Sequence, residues 1–248
     1  MIIRKSPSEI ATMREAGRIT ARALRLVGEA VRPGVTTAEL DAVAEDAIRS
    51  AGALPAFKGY QGFPATICAS VNDQVVHGIP SETVLRAGDI LSVDVGAVVE
   101  GYYGDSARTF AVGEVSDEAQ ALMDATREAL EAGMVQCVPG KRLLDISHAV
   151  QTVAEGAGFS VVREYVGHGI GRAMHEDPQL PNFGPAGQGP ILAEGMVFAI
   201  EPMVNAGGAE VCGLDDGWTV VTKDGSLSAH FEHTVAVTEA GPLVLTVE

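Results

Sequence analysis

The chain reads as an α+β fold in which helices cover one face of an antiparallel sheet. A pair of helical patterns is followed by alternating, β-branched segments, and the same order then recurs in the second part of the chain. No Pro/Ser-rich linker or charge block separates the two runs. They therefore form one domain, residues 1–248, of two related halves at about 1–115 and 116–248. That length is enough to bury a large single core.

The first helical pattern covers about Ser8–Val31, and the second follows Pro33-Gly34 and stops at Ala51-Gly52. Thr36 and Glu39 form a capping box at its start, and Leu40, Val43, Ala47 and Ile48 mark its apolar face. ATICASV, DILSVDVGAVV and SARTFAVG then read as strands, with Glu100-Gly101 as a hairpin turn. The second run opens with a helix over about Ser116–Met134. Pro139-Gly140 leads into another, with Ile146, Val150 and Val153 on its apolar face and an end at Ala157-Gly158. FSVVREYV, MVFAIEPMV, WTVVTK and HFEHTVAV follow as strands, and PLVLTV closes the chain.

Hydrophobic residues at 46% and charged residues at 20% describe an ordinary soluble globular protein. A net charge of −16 argues against nucleic acid and anionic membrane as partners, because both need a basic footprint. No segment approaches the roughly 20 apolar residues of a membrane span, and MIIRKSPSEI lacks the apolar stretch of a signal peptide. Cys68, Cys137 and Cys212 are odd in number, far apart and without a CxxC pair. Free thiols of this kind fit a reducing cytoplasm. A monomer is the default expectation.

Chemistry concentrates in five side chains. Asp94 interrupts the run ILSVDVGAVV, Glu201 closes GMVFAIEPM, and Glu232 lies in SAHFEHTVAV. Asp105 follows the hairpin turn, and His168 sits in VGHGIGRAMHEDP. Charged residues are rarely buried unless paired or bound to a metal. Four carboxylates placed together would repel and fail to ionise without a cation between them. With Glu100-Gly101 as the turn, Asp94 lies opposite Ala107 and Asp105 opposite Gly96. Both carboxylates then share one face as diagonal neighbours, roughly 7–8 Å apart at the backbone.

Plainer readings exist for several of these residues. Asp105 could be a turn residue, Glu232 could lie on an exposed mid-strand face, and His77 could be a solvated turn histidine beside Gly78 and Pro80. His148 falls within an amphipathic helix and reads as structural. His168 and His175 together in one glycine-rich loop point instead to a site. Pro202 holds Glu201 extended, a rigid mount for a ligand. One imidazole with four carboxylates is a hard, oxygen-rich set that favours Mn, Fe(II), Co or Mg over structural zinc. Paired divalent ions acidify a shared water and stabilise the oxyanion formed at a carbonyl, so hydrolysis suits this ligand set.

At these motifs the chain resembles the type I methionine aminopeptidases, whose pita-bread fold is shared with prolidases and aminopeptidase P. NDQVVHGIP, DVGAVVEGYYGDSARTF, REYVGHGIGRAMHEDP, FAIEPMVN and DGWTVVTKDGSLSAHFEHT carry the resemblance over nearly the whole length. It implies a curved antiparallel sheet, two pseudo-symmetric halves and two divalent metal ions, Mn, Fe(II) or Co. Asp94, Asp105 and Glu232 would hold one ion, and Asp105, His168, Glu201 and Glu232 the other. Glu201 would also be the general base. His175 would hydrogen-bond the substrate carbonyl, and His77 would donate to the leaving amine. Tyr60, Phe63, Cys68 and Trp218, with Phe57 and Met174 at the edge, would line the methionine pocket, where a thioether meets soft and aromatic groups. Asn72 and Ser228 match positions near a monovalent-cation site of some members.

The implied activity is removal of the initiator methionine from nascent polypeptides when the second residue is small, with transient contact to the ribosome. Met174, His230 and Phe57 depart from the residues commonly found at their positions, which are Phe, Gln and Cys respectively. Three other readings compete. A prolidase-like Xaa-Pro peptidase is disfavoured by the short stretch before His77. A non-catalytic peptide-binding protein would not need the intact ligand set. A mononuclear iron oxygenase using His168, His175 and one carboxylate leaves the remaining acids without a role.

Overall fold

The computed structural model describes residues 1–248. Four helices form where the periodicity places them: α1 (Pro7–Ala30), α2 (Thr37–Ser50), α3 (Asp117–Val135) and α4 (Leu143–Gly156). Ser6 and Glu9 close a capping box ahead of Pro7, which has no N–H to satisfy in the first turn. Thr36 and Glu39 form the second box as the sequence predicts, and Ser116 caps α3.

The strands, in chain order, are β1 (Leu54–Pro55), β2 (Ile67–Val71), β3 (Gln74–Val76), β4 (Ile90–Val99), β5 (Tyr102–Ala111), β6 (Ser160–Val161), β7 (Gly167–Gly169) and β8 (Glu176–Leu180). They continue with β9 (Val197–Ile200), β10 (Met203–Asn205), β11 (Val211–Gly213), β12 (Val220–Thr222), β13 (Ser228–His230), β14 (His233–Thr238) and β15 (Gly241–Val244). All pairings are antiparallel. Hydrogen bonding divides them into four sheets: β1-β4-β2 with β5 on β4, β13-β10-β6, β11-β12-β3, and β15-β14-β9-β7-β8.

The helices bury their apolar stripes on one side of these strands. Leu24, Val27, Leu40 and Ile48 from α1 and α2 pack with Leu91, Val93, Val95 and Ala97 of β4. Leu122, Leu130, Ile146 and Val150 from α3 and α4 pack with Phe198, Ile200, Val204 and Val235. Because side chains alternate along a strand, Ser92, Asp94 and Gly96 of β4 point to the side away from the helices.

Two segments expected to be single strands are broken. MVFAIEPMV divides into β9 and β10 at Glu201-Pro202, and HFEHTVAV divides into β13 and β14 at Phe231-Glu232. Pro202 has no N–H for a ladder, and its carbonyl accepts from Phe231 N at 3.3 Å. At this level both segments leave one sheet and enter another, so Glu232 lies in the break rather than mid-strand. FSVVREYV keeps only Ser160–Val161 as strand.

Side-chain hydrogen bonds fasten β5 to the β13–β14 segment. Ser106 Oγ donates to Glu232 O at 2.7 Å, Thr109 Oγ1 to His230 O at 2.9 Å, and Thr234 Oγ1 to Asp105 O at 2.8 Å. Glu232 N donates to Ala107 O at 2.9 Å. Residues from distant parts of the chain are thereby held against the β4–β5 hairpin.

That hairpin also touches α1 backbone to backbone. A Cβ on Gly104 would lie 2.7 Å from Gly17 N, and Thr20 Oγ1 donates to Gly104 O at 3.1 Å. Gly104→Ala is therefore expected to cost about 1–3 kcal/mol by forcing helix and hairpin apart. Urea unfolding checks this, and an unchanged midpoint would refute it.

Candidate metal centre

The hairpin register is the one expected, with Asp94 opposite Ala107 and Gly96 opposite Asp105. Glu100 and Gly101 both have positive φ, at 50° and 78°, the conformation of a two-residue hairpin loop. Asp94 and Asp105 thus face the same side, and Cys68 of β2 lies beside Asp94 in the ladder.

His168 comes from β7. Its Nδ1 lies 2.9 Å from Gly169 O, so Nδ1 carries the proton and donates to that carbonyl. Nε2 is left as a lone pair, 3.5 Å from Glu201 Oε1 and 3.9 Å from Asp105 Oδ2. Asn182 Nδ2 fixes the Glu201 backbone by donating to its carbonyl at 3.0 Å. One ligating atom each from Asp105, His168 and Glu232 falls within 4.8 Å of the others.

The electrostatics of this cluster favour a bound cation. Asp94 Oδ1, Asp105 Oδ1 and Glu232 Oε1 are buried with no hydrogen-bond partner, a costly arrangement unless something binds them. Burial pushes the Asp94 carboxyl up to about 7. Burial, followed by neighbouring carboxylates, holds Asp105, Glu201 and Glu232 well above the usual range. Burial also takes His168 down to about 4, leaving a neutral imidazole suited to ligation. The side chains of Asp94, Asp105, Glu201 and Glu232 pair with no lysine or arginine; their nearest basic side chains are His168 and His230, both kept neutral by burial. The donor set fits divalent ions.

These acids form the floor of a cavity of about 160 Å³ whose other end is apolar. Phe63 meets Trp218 edge-on at 5.0 Å, and Phe57, Phe63, Cys68 and Met174 belong to one buried cluster. Burial raises the Cys68 thiol well above its ordinary value, which keeps it protonated among the apolar groups of the cavity. His175 lines the mouth, with its Nδ1 2.7 Å from the Tyr60 hydroxyl. His77 also lines the cavity. Its φ of 61° is a strained conformation for a non-glycine residue, and burial lowers its imidazole to about 4.

All the residues singled out for divalent-metal binding, catalysis and the pocket therefore border one cavity, and Asn72 and Ser228 do not. Two neighbours, Gln61 and Tyr165, were not anticipated. Gln61 lines the cavity from a left-handed turn at φ 48°; its only sequence signal is the flanking Gly59 and Gly62. Tyr165 packs edge-on against His77 at 5.7 Å. His230 Nε2, buried and unpartnered, lies 3.8 Å from Glu201 Oε2. Asn72 and Ser228 are joined by Ser228 N donating to Asn72 O at 2.9 Å. A larger cavity of about 510 Å³, bordered by Arg25, Arg108 and Arg127, contains none of the acids of this cluster.

Comparison with known proteins places the chain in a family. The model of metallopeptidase family M24 matches residues 11–239. A methionine aminopeptidase from Clostridium acetobutylicum is 55% identical over 247 residues, 99% of each chain. The crystal structure of a methionine aminopeptidase from Thermotoga maritima superposes with a TM-score of 0.99 at 49% identity, covering 100% of both chains. A prolidase from Pyrococcus furiosus has a TM-score of 0.79 at 23% identity and is covered over 66% of its length, a likeness of fold alone.

Proposed function

The chain belongs to metallopeptidase family M24, and on that premise we propose that it is a type I methionine aminopeptidase, built on the pita-bread fold. Its substrate is the N-terminal methionine of a nascent polypeptide whose second residue is small. The observation that carries this reading is the two-ended cavity, with a metal-ligating floor and a soft aromatic slot.

The two halves, about 1–115 and 116–248, share the ligands. Asp94, Asp105 and Glu232 would hold one divalent ion, and Asp105, His168, Glu201 and Glu232 a second, with Mn, Fe(II) and Co all compatible with such donors. Ions there supply a reactive water at neutral pH and stabilise charge on a carbonyl oxygen. Glu201 takes the proton of the attacking water and returns it to the leaving amine. His77, neutral because of its burial, donates a hydrogen bond toward that amine.

Tyr60 sets the tautomer of His175. A phenol donating to Nδ1 leaves the imidazole proton on Nε2, free to hydrogen-bond the scissile carbonyl and its oxyanion. Tyr60→Phe is expected to lower kcat about tenfold, the value of one hydrogen bond. An unchanged kcat would remove Tyr60 from this role. Phe63, Trp218, Cys68 and Met174 receive the thioether side chain.

No helix is long and apolar enough to cross a membrane. A monomer in the cytoplasm, meeting the ribosome transiently and taking a monovalent cation near Asn72 and Ser228, completes the reading. Assays on Met-Ala-Ser against Gly-Pro and other Xaa-Pro peptides test it. Methionine release from the first is expected, and cleavage of the proline substrates alone would overturn it.

A further inference from the structure

The N-terminal residues run beside the hairpin that carries His168 and His175. Lys5 N donates to Gly195 O at 2.6 Å, and its side chain then turns inward. Lys5 Nζ lies 2.6 Å from Glu176 Oε2, with the two side chains only 3% and 7% exposed. Its other bond, at 3.3 Å, goes to Ile3 O.

Glu176 directly follows His175. Its second oxygen, Oε1, accepts from Arg172 N at 2.8 Å and Ala173 N at 3.2 Å. One carboxylate thus closes the loop Gly171–His175 from inside, and an ammonium 171 residues away in sequence neutralises it. The loop fits tightly around both groups. A Cβ on Gly171 would lie 2.5 Å from Lys5 Cε and 2.6 Å from Glu176 Oε1. Tyr103 N tethers the same turn by donating to Gly171 O at 2.9 Å.

A buried ion pair is a poor source of stability. Desolvating both charges offsets their attraction, and an apolar pair of similar volume often does as well. What this pair does supply is a defined geometry for the loop, and Met174 and His175 project from that loop into the cavity. Neither Lys5 nor Glu176 borders the cavity itself.

We propose that the Lys5–Glu176 ion pair is a positioning device for His175 and Met174, through which the N-terminal segment sets how the imidazole meets the scissile carbonyl. The kinetic part of this inference rests on the methionine aminopeptidase reading; the structural part stands without it.

The test uses Glu176→Gln, which keeps the Oε1 acceptor and the side-chain volume, together with Lys5→Met and the double variant. Each full-length protein is reconstituted with diamagnetic Zn(II) for imidazole proton–nitrogen spectra, and assayed on Met-Ala-Ser. Each single variant is expected to lose roughly 10- to 100-fold in kcat, the effect of misplacing a reacting group by about 1 Å, with a smaller change in KM. The double variant should be no worse than about twofold below the poorer single one, since both changes break the same pair. The His175 signals should move while those of remote His233 stay.

Wild-type kcat with unmoved His175 signals in folded variants would overturn the proposal. Should Lys5→Met fail to fold, Glu176→Gln alone decides by the same criteria. Should the wild-type chain release no methionine, the functional reading falls, yet the His175 spectrum of Glu176→Gln still sustains or refutes the positioning role.

Discussion

Glu201→Ala is expected to leave a folded protein that has lost roughly 10²–10⁴-fold of its methionine release. The side chain makes no hydrogen bond that holds the fold. Its oxygens face His168 at 3.5 Å and His230 at 3.8 Å, while the backbone is held separately by Asn182. Burial and the nearby Asp94 hold its carboxyl well above the usual range, so in metal-free protein this group is a burden. Metal-free Glu201→Ala should therefore melt no lower than metal-free wild type. His168→Ala should lose turnover in the same way. Calorimetry and a Met-Ala-Ser assay on the same preparation check both statements. Full activity would mean that the proton acceptor lies elsewhere, and a protein that no longer folds would mean that the acid is structural.

The second large effect is a metal-dependent melting temperature whose increment grows with pH. Ligation requires deprotonated carboxylates and a neutral imidazole, so protons compete at every ligand. In metal-free protein the two kinds of group act oppositely. The carboxyls have raised values, about 7 for Asp94; any stability they contribute is present below the ordinary carboxylate range and is lost as pH rises through the folded value. His168, lowered to about 4 from 6.5, contributes stability that is present above 6.5 and lost as pH falls toward 4. These opposing trends cancel in part, so the informative quantity is the difference between loaded and chelated protein. At 100 times Kd a divalent ion adds about 2.7 kcal/mol, roughly 5–10 °C for a chain of this length. The increment should be large near pH 8 and small near about pH 5.5. An increment that is flat with pH, or absent, would contradict the ligand assignment.

Much of this site can be read from local chemistry. Asp94 stands out because an acid inside ILSVDVGAVV has a heavy desolvation cost, and the Glu100-Gly101 turn sets the register that aims Asp105 at it. The helix caps at Thr36 and Ser116 are likewise local signals. Breaks in apolar runs are harder to see. β9 and β10 are apolar on both sides of Glu201-Pro202, and β13 and β14 on both sides of Phe231-Glu232, so alternation carries through while the chain changes sheets. Pro202 is the one local clue, and Glu232 has none. Contacts across long separations leave no trace in any window. Lys5 with Glu176, Tyr60 with His175, and His230 with Glu201 are all of this kind.

The most direct test is an anaerobic titration of the metal-free chain with Mn(II) or Co(II), counting bound ion and measuring methionine release from Met-Ala-Ser in the same samples. Bound ion and turnover should rise together in wild type, and both should be lost in an Asp105→Asn, Glu232→Gln double variant. Turnover without bound metal, or metal held equally well by that variant, would contradict the account.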